Sequence, residues 1–319
     1  MQRNKLFDSL KFGLIFLMVY GHTLQFNNGH IRDTIFGFIY TFHMPLFIFI
    51  SGYFSKNITW EKYKKSFISL IITFTIFQFI YSFPLIFAGF KNWLIFFIKP
   101  KGWYIIGLLV WRFLFLIAKD RVSKVTFLLI SFLFPLGVGF LDSEIFMFRI
   151  FTFFPYFLLG AFCKEVSIGR IRNINKLYAI LFLVVVFISI YIVVNKEFLI
   201  SLFGEDPYIK NYKTRYEGFL YRILVYVLAI TVSIGIINVI PDTLGKYGSK
   251  TLEIYLMHHI ILNFFYVGLF PLLNFNPSLL LNLGVTALIV ITCLYLATFK
   301  IVKFIMSPLD YFKKIIVHR

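Results

Sequence analysis

Apolar runs long enough to cross a bilayer follow one another along almost the whole chain. A membrane-spanning helix needs about 20 predominantly apolar residues. Ten segments meet this need: 9–26, 34–54, 66–90, 103–118, 124–141, 145–163, 177–195, 217–239, 251–273 and 279–304. Charged residues make up only 14% of the chain and hydrophobic residues 60%, which is too much apolar surface for one water-soluble core. The sequence therefore predicts an all-α fold, a polytopic integral membrane bundle of about ten transmembrane helices, with residues 1–319 forming a single domain.

The formal net charge of +18 indicates sidedness rather than nucleic-acid binding. With the N-terminus inside, the cytoplasmic segments carry 21 of the 32 Lys and Arg residues and the outer segments carry ten. Lys and Arg are enriched in cytoplasmic loops. We therefore expect a multi-pass cell-membrane protein, N-in and C-in, whose partner is the lipid bilayer and not nucleic acid. Cys163 and Cys293 have no metal-type spacing, so no metal site is expected.

Three ionisable residues of the first segment share one helical face. Lys11 and His22 are eleven residues apart, so they return to within about 20° of the same direction, and Asp8 lies about 40° to the other side of His22. Ionisable groups are costly in a bilayer unless they are paired or hydrated. This polar stripe of Asp8, Lys11 and His22 is therefore expected to face a polar cavity inside the bundle. For Asp8 and Lys11 there is a second explanation, in which the two side chains pair with each other and extend to the membrane interface.

The second segment combines a proline with polar groups. Pro45 is expected to kink the helix and free backbone carbonyls. Tyr40, His43 and Ser51 fall within about 80° of one another around the helix axis, so they can line one cavity. His43 has two interpretations, as a functional group or as a group that satisfies the kinked backbone. Gly52 permits close approach of a neighbouring helix.

Histidines are concentrated in the predicted membrane segments. Tyr255 lies about one helical turn from both His258 and His259, and at most one of these histidines can share the centre of its face. Together with His22 and His43, four of the six histidines are intramembrane. This concentration suggests proton handling or catalysis within a polar cavity.

Short motifs occur in a fixed order along the chain. They are Asp8-Ser9-Leu10-Lys11 with His22, Phe42-His43-Met44-Pro45-Leu46-Phe47, Ser51-Gly52-Tyr53-Phe54, Gly102-Trp103-Tyr104, Arg149 with Phe154-Pro155-Tyr156-Phe157 and Gly160, and 248–258. In this order they resemble the membrane acyltransferase 3 family, and within it most closely the fucose 4-O-acetylase-like branch. Two positions depart from the family pattern, because Lys11 stands where many members have Arg and Thr251 where Ser is usual.

The resemblance implies a ten-helix core that moves acyl groups, commonly acetyl, from cytoplasmic acyl-CoA to a hydroxyl of a glycan or similar acceptor. Acyl-CoA is then a donor substrate, and no bound cofactor is expected. The resemblance implies that His22 is the catalytic base, with Lys11 and Asp8 assigned to the same catalytic set on the cytoplasmic side. There Lys11, with the basic residues of 56–65 or with Arg170 and Arg172, is expected to hold the CoA phosphates.

The remaining site residues are expected to bind substrate. They are His43, Tyr40, Ser51, Trp103, Tyr104, Arg149, Tyr255 and His258. An interfacial aromatic belt is an equal explanation for Trp103 and Tyr104, and interfacial anchoring is another for Arg149. The alternative function is a transporter or flippase for a glycan or lipid-linked saccharide, with the histidines as a proton relay. A homo-oligomer stays open at this stage.

Overall fold

A computed structural model describes residues 4–87, 102–142 and 148–306. Every regular element within these ranges is helical, which confirms the all-α prediction. The α-helices are α1 (Lys5–Leu24), α2 (His30–Tyr53), α3 (Trp60–Phe87), α4 (Trp103–Ala118), α5 (Lys124–Val138), α6 (Phe148–Phe162), α7 (Glu165–Arg172), α8 (Lys176–Val193), α9 (Lys196–Ser201), α10 (Tyr208–Asn211), α11 (Arg215–Val239), α12 (Thr251–Asn263), α13 (Phe270–Leu272), α14 (Leu279–Leu296) and α15 (Lys300–Met306). A 3₁₀ segment, Asp242–Lys250, precedes α12, and a π-helical segment, Phe264–Leu269, joins α12 to α13.

Six helical stretches of the described chain are long and apolar enough to cross a membrane. They are His30–Tyr53, Trp60–Ser82, Lys176–Val193, Arg215–Val239, Asp242–Leu272 and Leu279–Leu296. The pair α6 and α7 would add a seventh span bent by 96°, while α4 and α5 are apolar but shorter. The protein is therefore a helical multi-pass membrane protein. Parts of the predicted segments at 88–90 and 145–147, and the basic residues of 307–319, lie outside the described residues.

Polar side chains set the starts of several helices. Asn4 accepts a hydrogen bond from the backbone N–H of Phe7 at the start of α1. Ser123 and Thr214 make the same type of contact at the starts of α5 and α11. These caps satisfy backbone donors that a helix leaves without an intrahelical partner. They fix where each helix begins and so fix the register of its polar face.

Glycines bring α2 and α6 into direct backbone contact. A Cβ atom at Gly52 would lie 1.9 Å from the carbonyl oxygen of Phe157, and one at Gly160 would lie 1.9 Å from that of Phe49. Small residues allow such close crossings between membrane helices. The packing role expected for Gly52 is therefore present, and the crossing fixes the position of the polar residues on α2.

The N-terminal half of α1 is held by the 3₁₀ segment. A Cβ at Gly248 would lie 2.3 Å from the carbonyl oxygen of Asp8, so the two backbones touch. Helix α1 also packs against α2, α12 and α14. The polar face of α1 thereby lies beside α12, which carries the second group of intramembrane histidines.

Candidate active site

Three histidines from two helices form a cluster. His22 lies in the last turn of α1, and His258 and His259 lie on α12. The ring centroid of His22 is 5.3 Å from that of His258 and 4.6 Å from that of His259, and the latter two are 4.3 Å apart. One ring nitrogen from each residue lies within 4.8 Å of the others. Such a group can exchange protons over short distances, and it can hold a transition-metal ion.

The cluster borders a cavity of about 200 Å³, called here the histidine cavity. Its walls are Met18, His22, Tyr40, His43, Met44, Trp103, Arg149, Phe153, Leu202, Phe203, Tyr255, His258 and His259. Six of the eight predicted binding residues are among them. His259 was not predicted to bind substrate, although its place beside His258 and one turn from Tyr255 was a usable signal. Leu202 and Phe203 come from the segment after α9 and were not predicted.

Backbone carbonyls fix the orientation of two of these histidines. Nδ1 of His43 is 2.9 Å from the carbonyl oxygen of Ile39, and Nδ1 of His258 is 3.0 Å from that of Ile254. A carbonyl can only accept, so each Nδ1 is the donor, and in the neutral ring Nε2 then carries the lone pair. Pro45 removes the N–H partner of the Thr41 carbonyl, so the bond from His43 to Ile39 does not satisfy the carbonyl that the proline frees. The same His43 ring lines the cavity.

Arg149 turns into the histidine cavity from α6. Its Nη2 is 2.5 Å from Oε1 of Glu205, and its Nε donates to the carbonyl oxygen of Phe203 over 2.8 Å. The guanidinium carbon lies 4.8 Å from the centroid of the Trp103 ring, a cation–π arrangement. Arg149 and Trp103 are thus parts of one cavity wall.

A second cavity of about 420 Å³ lies further along the bundle and is called here the lysine cavity. Lys11, Ser51, Tyr104, Arg112 and Tyr255 are among its walls. The Ser51 hydroxyl oxygen is 2.7 Å from the Tyr104 hydroxyl oxygen, and the Tyr255 hydroxyl accepts a hydrogen bond from the backbone N–H of Tyr104 over 3.2 Å. Tyr255 therefore lines both cavities.

Ser51 corrects one expectation about α2. The helical angle placed Ser51 with Tyr40 and His43 in a single cavity, but Ser51 lines the lysine cavity instead. The three residues do share a face, yet Ser51 is eight residues beyond His43, or about 12 Å along the axis. The angle between residues around a helix axis predicts which face they share, but it does not predict which cavity along that face each residue reaches.

Two cations of the lysine cavity are held in different ways. Nζ of Lys11 is 2.7 Å from Oδ1 of Asp8, which is the pairing given above as the alternative explanation for these two residues. Arg112 donates from Nε to the hydroxyl of Ser55 over 3.1 Å and from Nη1 to that of Ser66 over 3.4 Å. Arg112 was missed as a binding candidate, although an arginine within an apolar helix is itself a signal of function.

Basic residues outside the cavities have structural contacts. Arg172 donates to the carbonyl oxygens of Ile237, Asn238 and Ile240 at 2.8–3.2 Å and so closes the end of α11. Nζ of Lys56 lies 3.4 Å from the centroid of the Tyr53 ring, and burial lowers the pKa of Lys56. Neither residue lines the lysine cavity, so the expectation that Arg172 assists Lys11 is not met in this arrangement.

Two cavities with polar groups in their walls thus lie within this helical bundle, and Tyr255 lines both. The chain matches the family model described as an acyltransferase domain over residues 4–298, and it belongs to this acyltransferase 3 family. It is therefore a membrane acyltransferase. The comparison with curated proteins gave no significant match, and neither did the comparison with solved structures.

Proposed function

We propose that this protein transfers an acyl group, specifically acetyl, from cytoplasmic acyl-CoA to a hydroxyl of a cell-surface or lipid-linked glycan. The observation that carries the proposal is that one helix, α1, contributes a polar residue to the wall of each of two cavities. His22 borders the histidine cavity and Lys11 borders the lysine cavity, and the advance of eleven positions from Lys11 to His22 corresponds to about 16 Å of helical rise. Donor and acceptor can thus approach from opposite sides of the membrane.

In this proposal the ten predicted segments cross the cell membrane ten times, with both termini inside. The lysine cavity then faces the cytoplasm, where acyl-CoA is available, and the histidine cavity faces outward. The excess of Lys and Arg in the cytoplasmic segments supports this orientation. We further assign the chain to the fucose 4-O-acetylase-like branch, on the motif order described above.

The proposed chemistry uses His22 as a general base. A neutral imidazole removes the proton of the acceptor hydroxyl as its oxygen attacks the thioester carbonyl carbon. The new C–O bond forms, the C–S bond breaks, and the CoA sulfur leaves with the proton returned by the imidazolium. His258 and His259 lie close enough to stabilise the transient charge on His22, while Tyr40, His43, Trp103 and Arg149 are assigned to the acceptor.

The donor is assigned to the lysine cavity. A CoA phosphate is an anion, and charge-assisted hydrogen bonds from lysine and arginine bind phosphates strongly. Lys11 and Arg112 supply these charges, while the hydroxyls of Ser51 and Tyr104 offer further hydrogen bonds to the CoA arm. Asp8 is assigned the role of positioning Lys11 through their ion pair. The transporter alternative is not proposed, because the family is one of acyltransferases.

Membranes that contain the His22→Ala variant provide the test. The measurement is transfer of labelled acetyl from acetyl-CoA to surface glycan, with the amount of protein in the membrane checked for each variant. Loss of a general base is expected to lower the transfer rate by about 10²- to 10⁴-fold. The matched control is His30→Ala, because His30 is exposed at the start of α2 and bonds the carbonyl oxygen of Tyr191. Unchanged transfer by His22→Ala would refute the assignment.

A further inference from the structure

A buried asparagine on α14 joins the two elements that carry the histidine cluster. Asn282 lies near the start of this predominantly apolar helix. Its Oδ1 accepts a hydrogen bond from the hydroxyl of Tyr266, and its Nδ2 donates one to Oδ1 of Asn27. One amide therefore contacts both the π-helical segment that continues α12 and the connection that follows α1.

We propose that Asn282 is a positioning residue that fixes His22 relative to the two histidines of α12. This inference rests on the proposed function, because it takes transfer at His22 as the reaction. It adds a residue that lines neither the histidine cavity nor the lysine cavity. Asn282 acts on the reaction through the helices that carry the histidines, with Asn27 as its partner toward α1 and Tyr266 as its partner toward α12.

Both partners of the asparagine are close in sequence to the histidines that they would hold. Asn27 follows His22 by five residues, and its backbone N–H donates to the carbonyl oxygen of Leu24 over 3.0 Å. Asn27 is thus tied to the last turn of α1. Tyr266 follows His259 by seven residues in a continuous helical run. Because these stretches are joined by their own backbone hydrogen bonds, a displacement of either partner is passed on to the nearby histidine.

Further contacts hold the end of α1 against α14. Nδ2 of Asn27 donates to the carbonyl oxygen of Pro277, just before α14, over 2.9 Å. The hydroxyl oxygens of Thr23 and Thr286 are 3.3 Å apart, and both residues are buried. Thr23 directly follows His22. Helix α14 is therefore the support for the histidine end of α1, and the asparagine amide ties α12 to the same support.

The π-helical segment is the part of the α12 run that contacts this support. A π-helical turn has more residues than an α-helical turn, so it shifts the register of the side chains within it. Tyr266 lies in this segment, and its ring stacks on that of Phe26 with the centroids 4.4 Å apart. The segment thus faces the end of α1, and the hydroxyl of Tyr266 ties it to α14.

Small displacements of the histidines are expected to slow transfer. A general base acts over about 2.6–3.2 Å, and a misplacement of about 1 Å can cost about 10²-fold in rate. Asn282→Leu keeps the number and branching of the side-chain heavy atoms but removes both hydrogen bonds. It is expected to lower kcat by about ten- to hundredfold. KM for acetyl-CoA should change by less than about twofold, because the donor is assigned to the lysine cavity.

The test measures kcat and KM for acetyl-CoA in transfer to surface glycan, with kcat normalised to the amount of folded protein found by size-exclusion chromatography. The matched control is Asn238→Leu. Asn238 is also a buried asparagine, and its Nδ2 donates to the carbonyl oxygens of Ile171 and Ile174 at the end of α7. The control therefore loses two hydrogen bonds as well, and it is expected to keep the wild-type kcat.

A second variant tests the same contact with a smaller change. Tyr266→Phe removes only the hydroxyl and keeps the ring that stacks on Phe26, so it tests the inference even where Asn282→Leu does not fold. It is expected to lower kcat in the same direction. The double variant should be no slower than Asn282→Leu alone, because both changes break the same hydrogen bond.

The outcomes separate this inference from the proposed function. If wild type transfers no acetyl, the proposed function fails and this inference fails with it. If wild type transfers acetyl while Asn282→Leu and Tyr266→Phe keep the wild-type kcat, the proposed function stands and the positioning role is refuted. The positioning role is also refuted if Asn238→Leu lowers kcat as much as Asn282→Leu does.

Discussion

Replacement of Gly160 by alanine is expected to separate two helices that touch through their backbones. The added Cβ would lie 1.9 Å from the carbonyl oxygen of Phe49 and 2.9 Å from the backbone nitrogen of Tyr53. Ordinary contact begins at 3.4 Å, so α2 and α6 have to move apart by about 1.5 Å. Both opposing atoms belong to the backbone, and no side-chain rotation can relieve the contact.

Two opposing effects determine how far Gly160→Ala changes the free energy of unfolding. Extra volume in a packed core costs about 1–3 kcal/mol, while alanine is favoured over glycine inside a helix by about 1 kcal/mol. The matched control is Gly137→Ala in α5, where a Cβ would meet no atom within 4 Å. Gly137→Ala therefore gains the helix propensity of alanine without a steric clash. Gly160→Ala should therefore be less stable than Gly137→Ala by about 1–3 kcal/mol.

The assay is thermal unfolding of the purified, detergent-solubilised variants, followed by tryptophan fluorescence. A difference of 1 kcal/mol corresponds to roughly 2–4 °C in Tm for chains of 150–250 residues, and Gly160→Ala is expected to unfold several degrees below the control. Acyl transfer should fall as well, because α2 carries Tyr40 and His43. If Gly160→Ala unfolds at or above the temperature of Gly137→Ala, the α2–α6 contact described above is wrong.

Three further predictions concern charged groups. Arg112→Gln is expected to raise KM for acyl-CoA about tenfold with little change in kcat, because it removes the proposed phosphate contact, worth about 1.4 kcal/mol. Arg121→Gln, at an exposed position, should leave KM unchanged. Equal KM values for Arg112→Gln and wild type would contradict the proposed donor site. Zn²⁺ is expected to inhibit transfer reversibly by bridging the histidine cluster, and an equal inhibition constant in His259→Ala would exclude that cluster as the zinc site. Arg172→Gln should lower stability by about 1.5–3 kcal/mol through lost charged hydrogen bonds while kcat/KM stays the same, and a lower kcat/KM would contradict a purely structural role.

Helical periodicity predicted which face of its helix each polar residue occupies, but it did not predict which residues of other helices it contacts. The stripe of Asp8, Lys11 and His22 was predictable because each residue advances a helix by about 100°. The split of that stripe between two cavities was not predictable, because it depends on where α12 and α4 cross α1 and α2. Ser51 shows the same limit on α2, and Arg112 was recognisable as unusual while its cavity was not.

Residues contributed by connections were beyond the reach of the sequence. Leu202 and Phe203 follow the short helix α9 and line the histidine cavity, but apolar residues in a connection resemble those of any membrane segment. His259 presented a different difficulty, since adjacent positions on a helix point about 100° apart. Both histidines nevertheless border one cavity, to which α1 contributes His22.

Tyr255, which lines both cavities, gives the bundle a further property. In the proposed topology, the water-accessible space on the two sides of the membrane is divided at this ring and its immediate neighbours. The membrane potential then falls over a short distance here, and each elementary charge that crosses it exchanges about 2.3 kcal/mol per 100 mV. The protein thus has to block ion flow at the place where it passes an acyl group. A variant with a shorter side chain at position 255 should therefore let ions leak across the membrane of cells that produce it in normal amounts.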